Sequence, residues 1–557
     1  MARFTFGLSP AALWLAYADW AIHLASSPGK CQQLVEKSVR KAIRLLTYAS
    51  HLPAKVDCPL CIEPLPQDHR FRGEAWRHPP FNLIYQAFLL NQQWWHSATT
   101  GVGGVSPHHE QVVAFTTRQL LDTVSPVNFI ATNPEVLATT LREGGQNLVR
   151  GAMNFWADWE RAIGGKPPIG AENFQPGVHT AATKGEVIYR DRLLELIQYA
   201  PTTAEVRAEP VLIVPAWIMK YYILDLSPAN SLVKYLVDKG HTVFAVSWHN
   251  PTAKDRDLGM NDYIRAVLDA LKAVETIVPG RAIDAVGYCL GGTLLSIVAA
   301  YLAREGRPVL NSVTLLAAQT DFTEAGELTL FIDDSQLNYL EDIMWDQGYL
   351  DAGQMAGAFQ LLRSNDLVWS RVVHDYLMGK RAPMIDLMAW NADATRMPYR
   401  MHTEYLRRLF LANDLFEGRY EVDGRPVALS DVRVPLFVVS TEHDHVAPWR
   451  SVYKINLVSD TDVTFVLASG GHNAGIVAEP GRKGRHYRMS QRPADARYVD
   501  PDTWHATADV KEGSWWPAWL AWLDNQSRGR GAPPPLGAPD MGYPPLEHAP
   551  GRYVLEH

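Results

Sequence analysis

Residues 282–303 read AIDAVGYCLGGTLLSIVAAYLA. A short apolar run leads into Gly287-Tyr288-Cys289-Leu290-Gly291, and a second apolar stretch with helical spacing follows. The five residues fit the pattern G-x-nucleophile-x-G, with cysteine in the serine place, between a predicted strand and a predicted helix. The glycines have a steric reason. A nucleophile displayed on a sharp, strained turn leaves no room for bulky side chains two positions to either side, and Gly287 and Gly291 meet that need. The following helix would aim free N–H groups at the site, favouring a thiolate and an oxyanion, with the N–H of Leu290 as one donor. The competing reading is a small cysteine buried in a core. The choice rests on whether partners for a nucleophile exist elsewhere.

Such an elbow requires an acid and then a histidine, each just past a later strand. Residues 434–449, VPLFVVSTEHDHVAPW, offer Asp444 after one apolar run. Residues 463–476, VTFVLASGGHNAGI, offer His472 after the next, in a Gly-rich loop. Cys289, Asp444 and His472 therefore form a candidate triad in the order nucleophile, acid, base. Glu442 is a rival acid, and His443 and His445 are rival bases. His445 adjoins the preferred acid, which suits a role assisting the base or touching substrate.

The surroundings repeat one texture. Short apolar runs, PVLIVP (210–215), HTVFAVSW (241–248) and SVTLLAA (312–318), alternate with amphipathic helical segments such as DYIRAVLDALKAVETI (262–277). Buried strands alternating with helices predict a mostly parallel sheet covered on both faces, and with the elbow an α/β-hydrolase fold. The alternation stops between about 320 and 430, where segments such as MHTEYLRRLFLANDLF (401–416) read as a helical cap inserted over an active site. Residues 1–200 are expected to form a mainly helical N-terminal domain, 201–525 the catalytic α/β domain, and 526–557 a Pro/Gly-rich surface tail.

Composition narrows the class. The chain has 557 residues, 18 Trp and a net charge of −8, which fits a folded globular protein and argues against a broad basic nucleic-acid face. Four cysteines make no disulfide scaffold and fit a reducing cytoplasm. Cys58 and Cys61 form a lone C-x-x-C, too few ligands for a structural metal site, so no metal is expected. No run of about 20 uncharged apolar residues predicts a transmembrane helix. The stretch PAALWLAYADWAIHLA (10–25) superficially resembles a signal segment, but Asp19 interrupts it. It reads instead as an amphipathic helix with Leu13, Tyr17, Trp20, Ala21 and Leu24 on one face. The final VLEH has the look of a tag remnant and carries no weight in this reading.

Longer strings carry a resemblance. DHRFRGEAWRHPPFNLIYQAFLLNQQWW, SPVNFIATNPEVL, IMKYYILDLSPANSLVKYLVDKGHTVFAVSWHNP, GYCLGGT, EHDHVAPW, GSWWPAWLAWL and APGRYV together resemble the polyhydroxyalkanoate synthases over nearly the whole length. Length and the uninterrupted N-terminal region look like the single-subunit class acting on short-chain monomers. The resemblance implies Cys289 as the acyl-carrying nucleophile, His472 as general base and Asp444 as its partner. It implies (R)-3-hydroxyacyl-coenzyme A and a growing polyester as substrates, no separate cofactor, a homodimer, and attachment to cytoplasmic polymer granules. Three positions depart from the family's habit: Met219 stands where Asn is usual, His249 where Arg is usual, and Asn473 where Ile is common. Met219 lies in the loop after the first core strand, where Ile218 is the expected second oxyanion N–H donor. On the same fold, a thioesterase or polyester depolymerase is the rival activity, and a silent granule-associated paralogue the rival without activity.

Overall fold

The computed structural model describes residues 8–51, 59–355 and 368–557. The chain divides into two compact units. One comprises residues 1–168, 333–339 and 354–383, the other residues 169–332, 340–353 and 384–557.

The first unit is helical: α1 (Pro10–Ala25), α2 (Pro28–His51), α3 (Phe81–Thr99), α4 (Pro107–Thr123), α5 (Pro134–Arg142) and α6 (Gln146–Ile163). Their starts are written locally. Ser9, Ser106 and Asn133 accept first-turn N–H groups at α1, α4 and α5, each with proline at the helix start. On α1 the residues Leu13, Tyr17, Trp20 and Leu24 are partly buried, with Tyr17 bonded to Thr116 and the Trp20 indole to the Ala98 carbonyl, while Ala21 is exposed. An aromatic cluster of Phe71, Trp76, Tyr85 and Phe88 forms a core beneath Arg70, which pairs with Asp68 and Asp122. The thiol of Cys61 donates to the Arg44 carbonyl, and Cys58 lies outside the described residues, as does the pairing read from C-x-x-C.

The second unit is built on a sheet that, among the described residues, has eleven strands. They are β1 (Gly185–Arg190), β2 (Leu194–Tyr199), β3 (Val211–Val214), β4 (Val243–Trp248), β5 (Ile283–Tyr288), β6 (Leu310–Leu316), β7 (Leu436–Thr441), β8 (Val463–Ala468), β9 (His486–Arg492), β10 (Val510–Glu512) and β11 (Glu547–His548). Their spatial order is β10-β9-β8-β7-β6-β5-β3-β4-β2-β1-β11. The six central strands, β8 through β4 in that order, pair in parallel, and the flanking pairs are antiparallel. Every residue of β3, β4, β5, β7 and β8 is buried, as expected for parallel strands covered on both faces. The covering helices include α7 (Leu232–Asp238), α8 (Met260–Ile277) and α9 (Leu290–Arg304), and α8 buries the repeating face Tyr263, Ile264, Val267, Leu271 and Val274. This is the α/β-hydrolase architecture.

Three parts differ from the sequence reading. Residues 185–199, expected in the helical region, form β1 and β2 of the sheet. Polar residues within β2 hide its strand character, because Glu195 and Gln198 are buried with partners from distant chain. Residues 526–557, expected as a surface tail, contribute β11 to the sheet beside β1. The inserted region is divided: 333–339 and 354–383 cluster with the helical unit, and 384–431 with the α/β unit. The latter holds α10 (Asp386–Asn391) and α11 (Tyr399–Tyr405).

Candidate active site

Cys289 lies between β5 and α9 with φ 52° and ψ −125°. A non-glycine residue in this region is strained, and it is held there by its neighbours. Its N–H donates to the Leu316 carbonyl of β6 at 2.8 Å, and its own carbonyl accepts from Gly292 at 2.9 Å. A Cβ on Gly287 would lie 2.3 Å from the Gly292 Cα, and one on Gly291 would lie 2.2 Å from the Val214 carbonyl oxygen. Both glycines are therefore demanded by backbone-to-backbone approach. Gly291 in addition lets α9 seat against the end of β3. Leu290 is the first residue of α9, and first-turn N–H groups of a helix lack partners within it.

The acid and base arrive on the loops after β7 and β8, which are adjacent parallel strands. Asp444 Oδ2 lies 2.8 Å from His472 Nδ1. Its Oδ1 accepts the N–H groups of Val446 and Ala447 at 2.9 and 2.8 Å, and Thr441 donates to Oδ2 at 3.3 Å. Burial by itself would push this carboxyl up, but the His472 ring and the two amides outweigh it and hold Asp444 below the usual carboxylate range. His472 is hydrogen-bonded to Asp444, and Cys289 is close enough to act on its charge. Burial disfavours its charged form, yet the Asp444 carboxylate and then Cys289 raise it well above the ordinary imidazole range. All three side chains are buried, with Cys289 8% and His472 9% exposed. The arrangement can take a proton from the thiol, keep the imidazolium, and exclude bulk water.

The rival residues point elsewhere. Glu442 pairs with His486 at 3.2 Å, and His443 is exposed. His445 is partly buried beside Asp444. Ile218 stands in the loop after β3, where its carbonyl accepts the Thr395 N–H at 3.3 Å. The same loop is braced by Thr395 Oγ1 on the Trp217 carbonyl (2.6 Å) and by the Trp390 indole on the Lys220 carbonyl (2.8 Å). Among the described residues no group of three or more His, Cys, Asp or Glu side chains could hold a metal ion.

Several residues around the site escaped sequence reasoning. Tyr288 donates to Asn473 at 2.6 Å, with its ring 5.8 Å from that of His472. Tyr405 of α11 is buried, and burial first, with Cys289 adding to it, pushes its hydroxyl well above the usual phenol range. Lys220 donates to the carbonyls of Tyr553 and Glu556, and the Glu556 carboxylate meets His249 at 2.7 Å. The chain end that resembled a tag remnant is thus bonded to the loop behind Ile218. The departures at His249 and Asn473 were visible in the sequence, but not their partners, which lie far away in the chain.

Comparison with known proteins identifies the family. Residues 67–236 match the family "Poly-beta-hydroxybutyrate polymerase (PhaC) N-terminus", residues 1–30 match "Poly-beta-hydroxybutyrate polymerase N terminal", and residues 209–479 match the alpha/beta hydrolase fold. A poly(3-hydroxyalkanoate) polymerase of Methylorubrum extorquens is 42% identical over 88% of this chain and 81% of its own length. The poly(3-hydroxyalkanoate) polymerase subunit PhaC of Rhizobium meliloti (strain 1021) is 38% identical over 87% of this chain and 79% of its own. That of Cupriavidus necator is 36% identical, covering 87% and 83%. With this similarity along nearly the entire chain, the protein belongs to the poly(3-hydroxyalkanoate) polymerase family of acyltransferases.

Proposed function

We propose that Cys289, His472 and Asp444 are the catalytic triad that links (R)-3-hydroxyacyl groups, delivered as coenzyme A thioesters, into a polyester. The observation that carries this reading is the His472–Asp444 hydrogen bond on the loops after β7 and β8, with Cys289 on its strained elbow close enough to His472 to raise its affinity for a proton. His472 takes the thiol proton, and the thiolate attacks the thioester carbonyl. The N–H groups of Leu290 and Ile218 stabilise the oxyanion. Coenzyme A leaves with the proton, and an acyl-cysteine remains. A 3-hydroxyl of a chain end or second monomer then gives its proton to His472 and attacks the acyl group, releasing the thiolate. Thioester exchange onto cysteine is nearly isoenergetic, and a thiolate leaves readily in the second step. His445, beside Asp444, assists the base or orients substrate. No cofactor takes part beyond the coenzyme A of the substrate, and the favoured monomers are short, such as 3-hydroxybutyryl groups.

The helical N-terminal region and the C-terminal α/β region, with the inserted cap, act as one polymerase that works as a homodimer on cytoplasmic granules. Support for a surface-bound enzyme comes from two stripes of exposed apolar residues. Val35, Val39, Ile43 and Leu46 lie along α2, and Val149, Met153, Trp156 and Ile163 along α6. No helix among the described residues is long and apolar enough to cross a membrane.

The test uses purified protein with 3-hydroxybutyryl-coenzyme A, following free coenzyme A and insoluble polymer together. Wild type is expected to release coenzyme A in step with polymer, and Cys289→Ala to stay folded and make none. Coenzyme A release without polymer would mean a hydrolase. Polymer from Cys289→Ala would discard the mechanism, and a silent wild type whose Cys289 resists acylation would discard the activity.

A further inference from the structure

We infer that Asn473 is a positioning residue: its side-chain amide ties the loop of the base to the elbow of the nucleophile, through the hydroxyl of Tyr288. The inference rests on the triad reading above and adds a residue to it. Tyr288 closes β5 and immediately precedes Cys289, so its place and that of the thiol are set by the same backbone. Its hydroxyl donates to Asn473 Oδ1 at 2.6 Å, across 185 residues of chain. Asn473 in turn follows His472 directly. The Asn473 carbonyl accepts the N–H groups of Ile476 and Val477, at 3.1 and 3.0 Å, which anchors its backbone in the loop. The amide is oriented from its other end, where Nδ2 faces Asn391 Oδ1 of α10 at 3.4 Å. The residue before Asn391 is Trp390, whose indole holds the Lys220 carbonyl in the loop carrying Ile218.

The consequence is geometric. The rings of Tyr288 and His472 meet at a tilt, with centroids 5.8 Å apart and planes at 41°. Such contact resists compression but not sliding. The hydrogen bond from Tyr288 to Asn473 supplies the missing direction, because the residues bonded are the chain neighbours of thiol and imidazole. Tyr288 is 2% exposed, so its hydroxyl has no ready substitute acceptor in water. Burial, followed by the nearby Cys289 and Asp444, pushes its hydroxyl well above the usual phenol range, which keeps it a donor in every state of the cycle. A hydrocarbon side chain at 473 could fill the space but could not direct the loop.

Asn473→Ile, Tyr288→Phe and the double variant of the full chain test this. Two readouts are taken: kcat and KM for coenzyme A release, and the pH dependence of Cys289 alkylation by iodoacetamide, read by mass spectrometry at that residue. Each single variant is expected to lower kcat by about tenfold, with KM changed by less than about twofold. Each should also slow alkylation near neutral pH. The double variant should be no worse than the single ones, since both remove the same bond. Tyr288→Phe loses only one oxygen and guards against a folding defect in Asn473→Ile. Alkylation and kcat of Tyr288→Phe that match wild type, or losses that multiply in the double variant, would overturn the inference. The alkylation readout does not need polymerase activity, so it stands even if the proposed reaction fails.

Discussion

Cys289 and His472 owe their chemistry to what surrounds them. The raised affinity of His472 for its proton comes from Asp444 and Cys289 acting against burial, and the sign of the pH effect follows. The imidazolium persists towards alkaline pH, so the alkaline limb of kcat/KM lies where His472 finally loses its proton. In Asp444→Asn the opposing carboxylate is gone and burial prevails. The limb should then move to lower pH, with kcat falling by at least about a hundredfold. A pH–rate profile of the variant checks this, and an unmoved limb would exclude Asp444 as the base's partner. The same shift contributes stability that is present below the ordinary imidazole range and lost as pH rises through the raised value. At this scale the places of the three proposed triad residues were legible, since each sits at a fixed offset from an apolar run. The setting of Asn473, Tyr405 and His249 was not, because the atoms they meet belong to remote segments.

Elements impose harder limits than side chains. Gly291 lets α9 approach the end of β3, where an added Cβ would meet the carbonyls of Val214 and Pro215 at 2.2 and 2.5 Å. Backbone cannot step aside cheaply, so Gly291→Ala should destabilise the protein by more than about 3 kcal/mol. Chemical denaturation measures it, and a loss under about 1 kcal/mol would mean that helix and strand part easily. Strand β5 carries a second prediction. Asp284, buried in it, is pushed up to about 6 by burial first, with Glu209 adding to the effect and Ser312 and Asn311 opposing it. Its ionisation in the folded state therefore costs stability as pH rises from the ordinary carboxylate range through that value, by about 3 kcal/mol in all. Asp284→Asn keeps an oxygen for both donors and removes the cost. Unfolding free energy of the variant, compared with wild type at pH 4.5 and 7.5, should show a gain of about 1 kcal/mol at the lower pH and about 3 kcal/mol at the higher. The sequence pattern disclosed β3 to β8 because each is an apolar run. It concealed β2, whose Glu195 is fully buried and receives Arg190 and the N–H groups of Arg552 and Tyr553.

For the molecule as a whole, the open question is what covers its apolar stripes. On α6, Met153 is 68% and Trp156 67% exposed, an unusual concentration for a surface that only meets water. Met153→Glu with Trp156→Glu should leave coenzyme A release from soluble monomer unchanged while reducing sedimentation with preformed polyester particles. Equal sedimentation would remove this face from the binding surface. By itself, the sequence determined the strand–turn–helix around Cys289, the order and spacing of its partners, and the α/β class. These follow from steric and hydrophobic rules that act over a few residues. Only the tertiary structure decided that residues 185–199 and 547–548 extend the sheet, that the chain end braces the loop of Ile218, and that Asn473 grips Tyr288. Such facts depend on which distant polar groups are buried together, and a buried amide or carboxylate shows no local pattern until its partner is beside it.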